Sequence, residues 1–497
     1  MLSSILSGLM GLVRQKYIAY VFGAGHATDA YNAAFNLPDM INYFLVGGVA
    51  SITLVSMLSR FRERNDDDGA DRALSAILCA MVVVLGLGIL FAELFAPVYT
   101  HFFFPKLDPA TAALCTHLTR LLLPAQLFFF AGGVLGSRLL VRKIFLYQAL
   151  TPLVYNLGII LGGAFLARRY GIDSLAIGVL AGAFIGSALL NAIGALRGGL
   201  RFTPVFNLRH PAFVEWLKLS LPLMVGVSLA MADKWIISYF ATSNAGALSL
   251  LVNAKTLFNA PLSVIGMAAG AASLPFFSSL FAQQRMADFN AAVSRSISRL
   301  IAVSLLVTAW LIALAGPVAT LLKGGHLTAA ETGFTAHYLA IFALSLACWS
   351  AQGIYARAFY AAGNTMVPAI SGTVVTVASI PLYWVLYRSM GVEGLAFASD
   401  IGILTHTIAL ALLLQNYKLV TLKSLDRPEL YRALLAALIG MVATQQTLLR
   451  LPPNPGTLGN LAEIALGTII WIVATAAALH YSGSTLLTQL RNRKPSA

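Results

Sequence analysis

The sequence predicts an all-α polytopic membrane protein of about 14 transmembrane helices, with two pseudo-symmetric six-helix lobes plus two C-terminal helices. Three observations carry that reading. Of 497 residues, 58% are hydrophobic and only 10% are charged, whereas a soluble domain has about 25% charged residues. Apolar stretches of the roughly 20 residues that a spanning helix needs recur from end to end. The gaps between them alternate between basic and nearly uncharged, as loops on opposite sides of a membrane do.

Taken in order, the first stretch lies near 2–23. It lacks a clear small-residue cleavage site and is expected to stay as a helix rather than leave as a signal peptide. Gly23-Ala24-Gly25 separates it from a second stretch near 30–58, which runs into the basic gap RFRERNDDDGADR. Stretches near 73–98 and 111–136 precede RLLVRK, and those near 147–167 and 173–196 precede RGGLRFTPVFNLRH. The seventh, near 213–241, is joined to the eighth, near 247–280, by the almost neutral TSNAG. Four more follow near 292–321, 334–361, 367–388 and 392–415. Basic QNYKLVTLKSLDRPELYR then leads to the last two, near 429–449 and 460–482, which flank LPPNPGTLG and end in RNRK. Several exceed the bilayer thickness, so tilt or extension beyond the membrane is expected. An even number of spans with this charge pattern puts both termini in the cytoplasm. The acidic run NDDDGAD reads as a solvated loop.

A net charge of +14 would suggest nucleic acid in a soluble protein. Here the basic loops account for it, and no nucleic-acid partner is expected. Cys79, Cys115 and Cys348 are far apart inside apolar segments, which suits small buried side chains and not a disulfide or metal framework.

An internal repeat is visible at an offset near 220 residues, as from Phe61 to Phe281. LVGGVASITLVSMLSRF resembles VIGMAAGAASLPFFSSLF, with Leu54, Ser59 and Phe61 matching Leu274, Ser279 and Phe281, and Thr53 facing Ser273. Arg14 corresponds loosely to Lys234. Repeats an even number of spans apart share one topology, which is transporter architecture. The simplest division is 1–200 for the N-terminal lobe, 201–425 for the C-terminal lobe, and 426–497 for two additional helices and a basic tail.

The chain contains no G-x-x-x-x-G-K-[ST], so it carries no ATPase domain of its own to drive transport. It also lacks H-E-x-x-H, paired cysteines and a nucleophile elbow, and its eight histidines are scattered. Enzymatic chemistry, a cofactor and a metal site are not expected.

What stands out is charge inside the apolar stretches. An uncompensated arginine at mid-membrane costs on the order of 3 kcal/mol on insertion scales. Arg14 lies about a dozen residues into the first span, too deep to snorkel easily. It either lines a wet cavity that receives an anion or pairs with an acid on a neighbouring helix. Lys16, two residues round the helix, points elsewhere. Asp29 opens the second span, where its own helix dipole favours an acid and Thr28 can cap. The alternative is a gating role opposite the cationic first span. In SLAMADKWIISYF, Asp233 and Lys234 are adjacent and so about 100° apart on the helix. One side chain is expected in the cavity and the other in a local pair. Asp233 is the candidate ion-coupling residue, for a sodium ion or a proton, against a structural pair as the plain reading. Lys255 in LLVNAKTLFNAP is a further candidate cavity cation. Arg120 and Asp400 read as a pair in the bundle interior. The small residues of LVGGVAS and IGMAAGAAS suit close helix packing and bending.

These residues resemble the lipid II flippase family (MurJ/MviN) of the MOP exporter superfamily. The resemblance lies in GLVRQKYIAYVFGAGHATDAYNAAFNLP, where Arg14, Phe22, Gly23, Gly25, Asp29, Ala30, Phe35 and Pro38 fill the family pattern, and in ARAFYAAGNTMVPA, a pattern shared across the superfamily. Length and topology agree over nearly the whole chain. Three family arginines are absent. Gly8 stands six residues before Arg14. In LPDMINYFLVGG, Asn42 and Gly47 occupy the places of an arginine and of the E-G that follows it. Thr256, beside Lys255, replaces an arginine of the eighth span.

The resemblance implies a secondary transporter of the bacterial cytoplasmic membrane. Such a protein flips undecaprenyl-pyrophosphate-linked peptidoglycan precursor (lipid II) from the inner to the outer leaflet, by alternating access through a cationic central cavity. The implied partners are a lipid-linked anionic glycan and membrane lipids. The implied substrate-binding set is Arg14, Asp29, Asn42, Lys234 and Lys255, with Asp29 at the outer rim. The departures leave open a flippase for another polyprenyl-linked oligosaccharide, and the superfamily leaves open a cation-coupled multidrug antiporter. A membrane-embedded glycosyl- or acyltransferase would need a His/Asp constellation near one membrane face, and none is apparent.

Overall fold

A computed structural model describes residues 2–46, 48–224, 229–451 and 456–486. Gly47 and the basic tail from 487 lie outside the described residues. What is described is helical, with no strand among those residues. Among the described residues, nine helices are long and apolar enough to cross a membrane, or ten if the bent pair Ala329–Leu344 and Leu346–Ala361, angled at 42°, is one span. The other four expected spans are helical too but fall short of that test. Leu2–Phe22 carries Arg14 and Lys16. The second is broken into His26–Ala34, Asn36–Ile41, a π-helical turn Asn42–Val46, and Gly48–Glu63. The seventh consists of Pro211–Met224 and Leu229–Ala241, with Asp233 and Lys234 inside the latter. Arg427–Leu448 opens with Arg427, Glu429 and Arg432. Exposed apolar side chains such as Ile469, Ile472 and Val473 on Thr457–Tyr481 suit a lipid solvent.

The chain divides into two compact units, Met1–Gly226 with Ala241–Ser249, and Val227–Phe240 with Leu250–Ala497. In the first unit, Leu2–Phe22 packs on Leu146–Tyr170, and His26–Ala34 packs on Pro109–Leu122. A core of Leu54, Leu74, Ile77, Phe130 and Trp216 lies where Gly48–Glu63, Asp67–Phe103 and Ala125–Val141 converge. Beside it Arg138 and Asp71, each about 4% exposed, form a bidentate pair at 2.7 and 3.0 Å. Arg138 also donates to the carbonyl of Gly198, and Asp71 accepts from the Arg201 amide. A buried ion pair is stable only when its remaining donors and acceptors are satisfied in this way. In the second unit, Met286–Ala313 packs on Leu346–Ala361 and on Arg427–Leu448, which packs in turn on Thr457–Tyr481. The last two helices therefore belong to this unit, tied by Trp310 to Thr468 and by Asn460 to the Pro317 carbonyl.

The sequence repeat is carried into the backbone. Leu146–Tyr170 recurs as Met366–Met390, 220 residues later and equally 25 residues long. Both end on a glycine with positive φ, Gly171 at 52° and Gly391 at 64°, whose N–H caps a carbonyl four residues back at 2.9 Å in each case. With ψ near −133° and −139°, this conformation is open essentially to glycine alone. The break after Pro109–Leu122 recurs after Ala329–Leu344.

Candidate functional site

In the first unit Leu2–Phe22 presents Arg14 to Leu146–Tyr170. One guanidinium N–H group donates to the amide oxygen of Asn156 at 3.0 Å. The hydroxyls of Tyr31 and Tyr155 are within electrostatic reach. The Nε–H is buried without a hydrogen-bond partner among the described residues. A neutral amide orients a guanidinium without cancelling its charge, and an unspent buried donor is costly unless an acceptor arrives. Lys16 makes contacts of its own.

Asp29 is 2% exposed. Thr28 accepts from the Gly25 amide at 2.9 Å and so caps their shared helix. The Asp29 carboxylate is spent elsewhere. It accepts from the amides of Gly246 and Ser249 at 2.5 and 2.8 Å and from the Ser249 hydroxyl at 2.6 Å. These donors form the N-terminal turn of Ala247–Ala282, where a helix has unpaired N–H groups and partial positive charge. Asp29 is thus a long-range N-cap. Asn42, at the start of the π-helical turn, donates to the side-chain oxygen of Gln126 at 2.9 Å.

In the second unit Asp233 and Lys255, assigned separate roles from the sequence, form one ion pair. The Lys255 ammonium donates to Asp233, whose other oxygen accepts from the Tyr383 hydroxyl. Lys255 also reaches Ser399 at 3.5 Å and sits 5.0 Å above the Phe342 ring centre. Asp400, with both carboxylate oxygens buried, lies in the electrostatic field of this lysine. Lys234 is half-buried on the same helix as Asp233 and has contacts of its own. Arg120 is exposed and donates to the Glu93 carbonyl, not to the interior of a bundle.

The partners Asn156, Ser249 and Tyr383 were not singled out from the sequence. They are single polar residues in apolar helices and carry no motif. Only the offset of 220 residues between Asp29 and Ser249, equal to the repeat, offered a signal.

A family model described as Lipid II flippase MurJ matches residues 18–459. The chain belongs to that family. MurJ relatives match over most of their length. A probable lipid II flippase of Thermotoga maritima is 24% identical over 95% of this chain and 94% of its own. One of Bdellovibrio bacteriovorus is 26% identical over 98% and 94%. Among solved structures, a lipid II flippase MurJ in an inward closed conformation superposes with a TM-score of 0.79 at 22% identity, covering 96% of this chain and 98% of that one. A MATE multidrug transporter of the MOP superfamily superposes at 0.65 with 14% identity, covering 83% and 94%. MurJ proteins are transporters, and with its long apolar helices this chain is a multi-pass inner-membrane protein. At the departures from the MurJ pattern, Gly8 has open space where a side chain would project. Thr256 turns its hydroxyl back onto the Val252 carbonyl at 2.8 Å.

Proposed function

We propose that this chain flips undecaprenyl-pyrophosphate-linked peptidoglycan precursor from the inner to the outer leaflet, with both termini cytoplasmic, by alternating access through a cationic cavity. The observation that carries the reading is Arg14. It is a permanently charged group deep in an apolar helix, oriented by the neutral Asn156 and holding an unused N–H. A pyrophosphate cannot cross hydrocarbon without replacement of its hydration, and a guanidinium offers that replacement. Asn42, Lys234 and Lys255 would add polar and cationic contacts, and Asp29 would close the rim. The test is complementation of a bacterium depleted of its own lipid II flippase. Restored growth and cell shape support the proposal, and a well-expressed protein that fails to restore them removes it.

The positions of Gly8, Asn42 and Thr256 favour a second reading, in which the flipped glycan hangs on the same polyprenyl pyrophosphate but differs from the peptidoglycan precursor. Failure in the peptidoglycan assay, together with flipping of another polyprenyl-linked glycan in vesicles, would select it.

A further inference from the structure

A cleft of about 540 Å³ opens in the first unit where three turns meet, and its lining includes Arg62, Asn65, Asp67, Arg142, Arg197 and Gly199. Arg142 donates to the Gly198 carbonyl at 2.8 Å and pairs with Asp67 at 3.0 Å. The carboxylate in the lining is thereby already balanced. Arg62 donates to the Val141 carbonyl. Arg197, the last residue of Leu190–Arg197, is exposed, and its side chain makes no hydrogen bond or ion pair among the described residues.

The bias toward basic loops explains arginine in such turns. It does not explain three of them on one cleft, and the second repeat serves as an internal control. The left-handed residue Asn65 recurs as Gln284, with φ of 54° and 59°. The helix cap Arg142 (φ −84°, ψ 3°) recurs as Ala362 (φ −81°, ψ 7°). The cap Gly198 (φ −77°, ψ 12°) recurs as Tyr417 (φ −75°, ψ 1°). Counting from these anchors, Arg62, Arg142 and Arg197 fall on Phe281, Ala362 and Asn416. The first is one residue out of the register that matches Phe61 to Phe281, in which Arg62 would fall on Ala282, also uncharged. At these three positions the same turns are built there without an arginine, although Arg285 and Lys418 stand elsewhere in them, so the turn geometry does not require arginine at the three places.

We infer that this cleft binds a phosphate-bearing anion, held by Arg62, Arg142 and Arg197, at a place separate from Arg14. Guanidinium forks match phosphate oxygens in pairs, and basic pockets between helices at a membrane face accept phosphorylated headgroups. The source is either a lipid headgroup reaching in from the bilayer or a phosphate ester from the water. The probe is inorganic pyrophosphate, titrated calorimetrically into the full chain in nanodiscs of phosphatidylcholine. Arg197→Asn, which loses no internal contact, should weaken binding at least ten-fold with an unchanged melting temperature. The triple variant Arg62→Phe, Arg142→Ala, Arg197→Asn should abolish it. All titrations are made in the Arg14→Ala background, which removes the pyrophosphate contact proposed for transport and keeps this test independent of it. Discs containing phosphatidylglycerol separate the sources: a lipid ligand raises the apparent Kd of pyrophosphate ten-fold or more, and a water-soluble one leaves it unchanged. No pyrophosphate binding in phosphatidylcholine discs would overturn the inference. So would binding that survives the triple variant in the Arg14→Ala background.

Discussion

A guanidinium at the depth of Arg14 is costly in hydrocarbon, and the Asn156 amide satisfies only part of it. Arg14→Ala is therefore expected to insert and fold normally while losing complementation, and Arg14→Lys to retain part of it because charge persists without the fork. Normal growth on a stably expressed Arg14→Ala protein contradicts this. The Asp233–Lys255 pair is different, since each charge already has its counter-charge and Tyr383 completes the acid. Removing one partner leaves an uncompensated charge. Lys255→Ala should cost about 3–5 kcal/mol. Adding Asp233→Asn should recover much of that, read as melting temperatures in detergent. Equal losses in the single and double variants would show that the pair contributes little. If the pair also couples transport to an ion, Asp233→Asn should change how flipping responds to imposed sodium and proton gradients. An unaltered response leaves Asp233 structural.

Between helices, small residues and caps set the spacing. Gly178 on Asp173–Gly182 faces Leu146–Tyr170 so closely that an added Cβ would lie 2.6 Å from the Gly158 carbonyl. In the second repeat the residue 220 positions on is Ala398, itself fully buried, so at this position the second repeat has room for a Cβ that the first lacks. Gly178→Val should destabilise by about 1–3 kcal/mol through overpacking, whereas Ala398→Gly should cost about 1 kcal/mol or less through helix propensity. Similar melting losses for the two would refute the asymmetry. Asp29 joins two elements by satisfying the first turn of Ala247–Ala282. Asp29→Ala should cost about 1–2 kcal/mol, as loss of an N-cap does. Asp29→Asn should cost less, because the amide oxygen still accepts. An Asn variant as unstable as the Ala variant would mean that the charge, not the acceptor, matters.

At the scale of the molecule, the proposed reaction carries an anion outward, away from the negative side of the membrane. Each elementary charge moved through 100 mV gains about 2.3 kcal/mol, which biases the cycle without ATP. Collapsing the potential with an ionophore at constant pH should slow flipping in vesicles, and reversing its sign should slow it further. Flipping indifferent to both would mean that charge is compensated during transport.

The apolar stretches, the alternating charge and the 220-residue repeat made the helical class, the places of the helices and a transporter architecture legible in the sequence, and the motif running from Arg14 through Asp29 to Pro38 made the family legible. Each rests on local composition or on spacing along the chain, which survive without knowledge of contacts. The same locality marked Arg14, Asp29, Asp233 and Lys255, because a charge in an apolar run is conspicuous whatever it touches. What each touches was decided by the tertiary structure. Asp29 reads as an acid of its own helix, yet its carboxylate closes a turn more than two hundred residues away. Asp233 and Lys255 read as two functions and fold into one pair, 22 residues apart. Asn156 and Tyr383 were invisible because an amide or a phenol in a membrane helix has no periodic or motif signature. Hydrogen bonding in low dielectric is short-ranged and directional, so only packing determines which buried donor meets which acceptor.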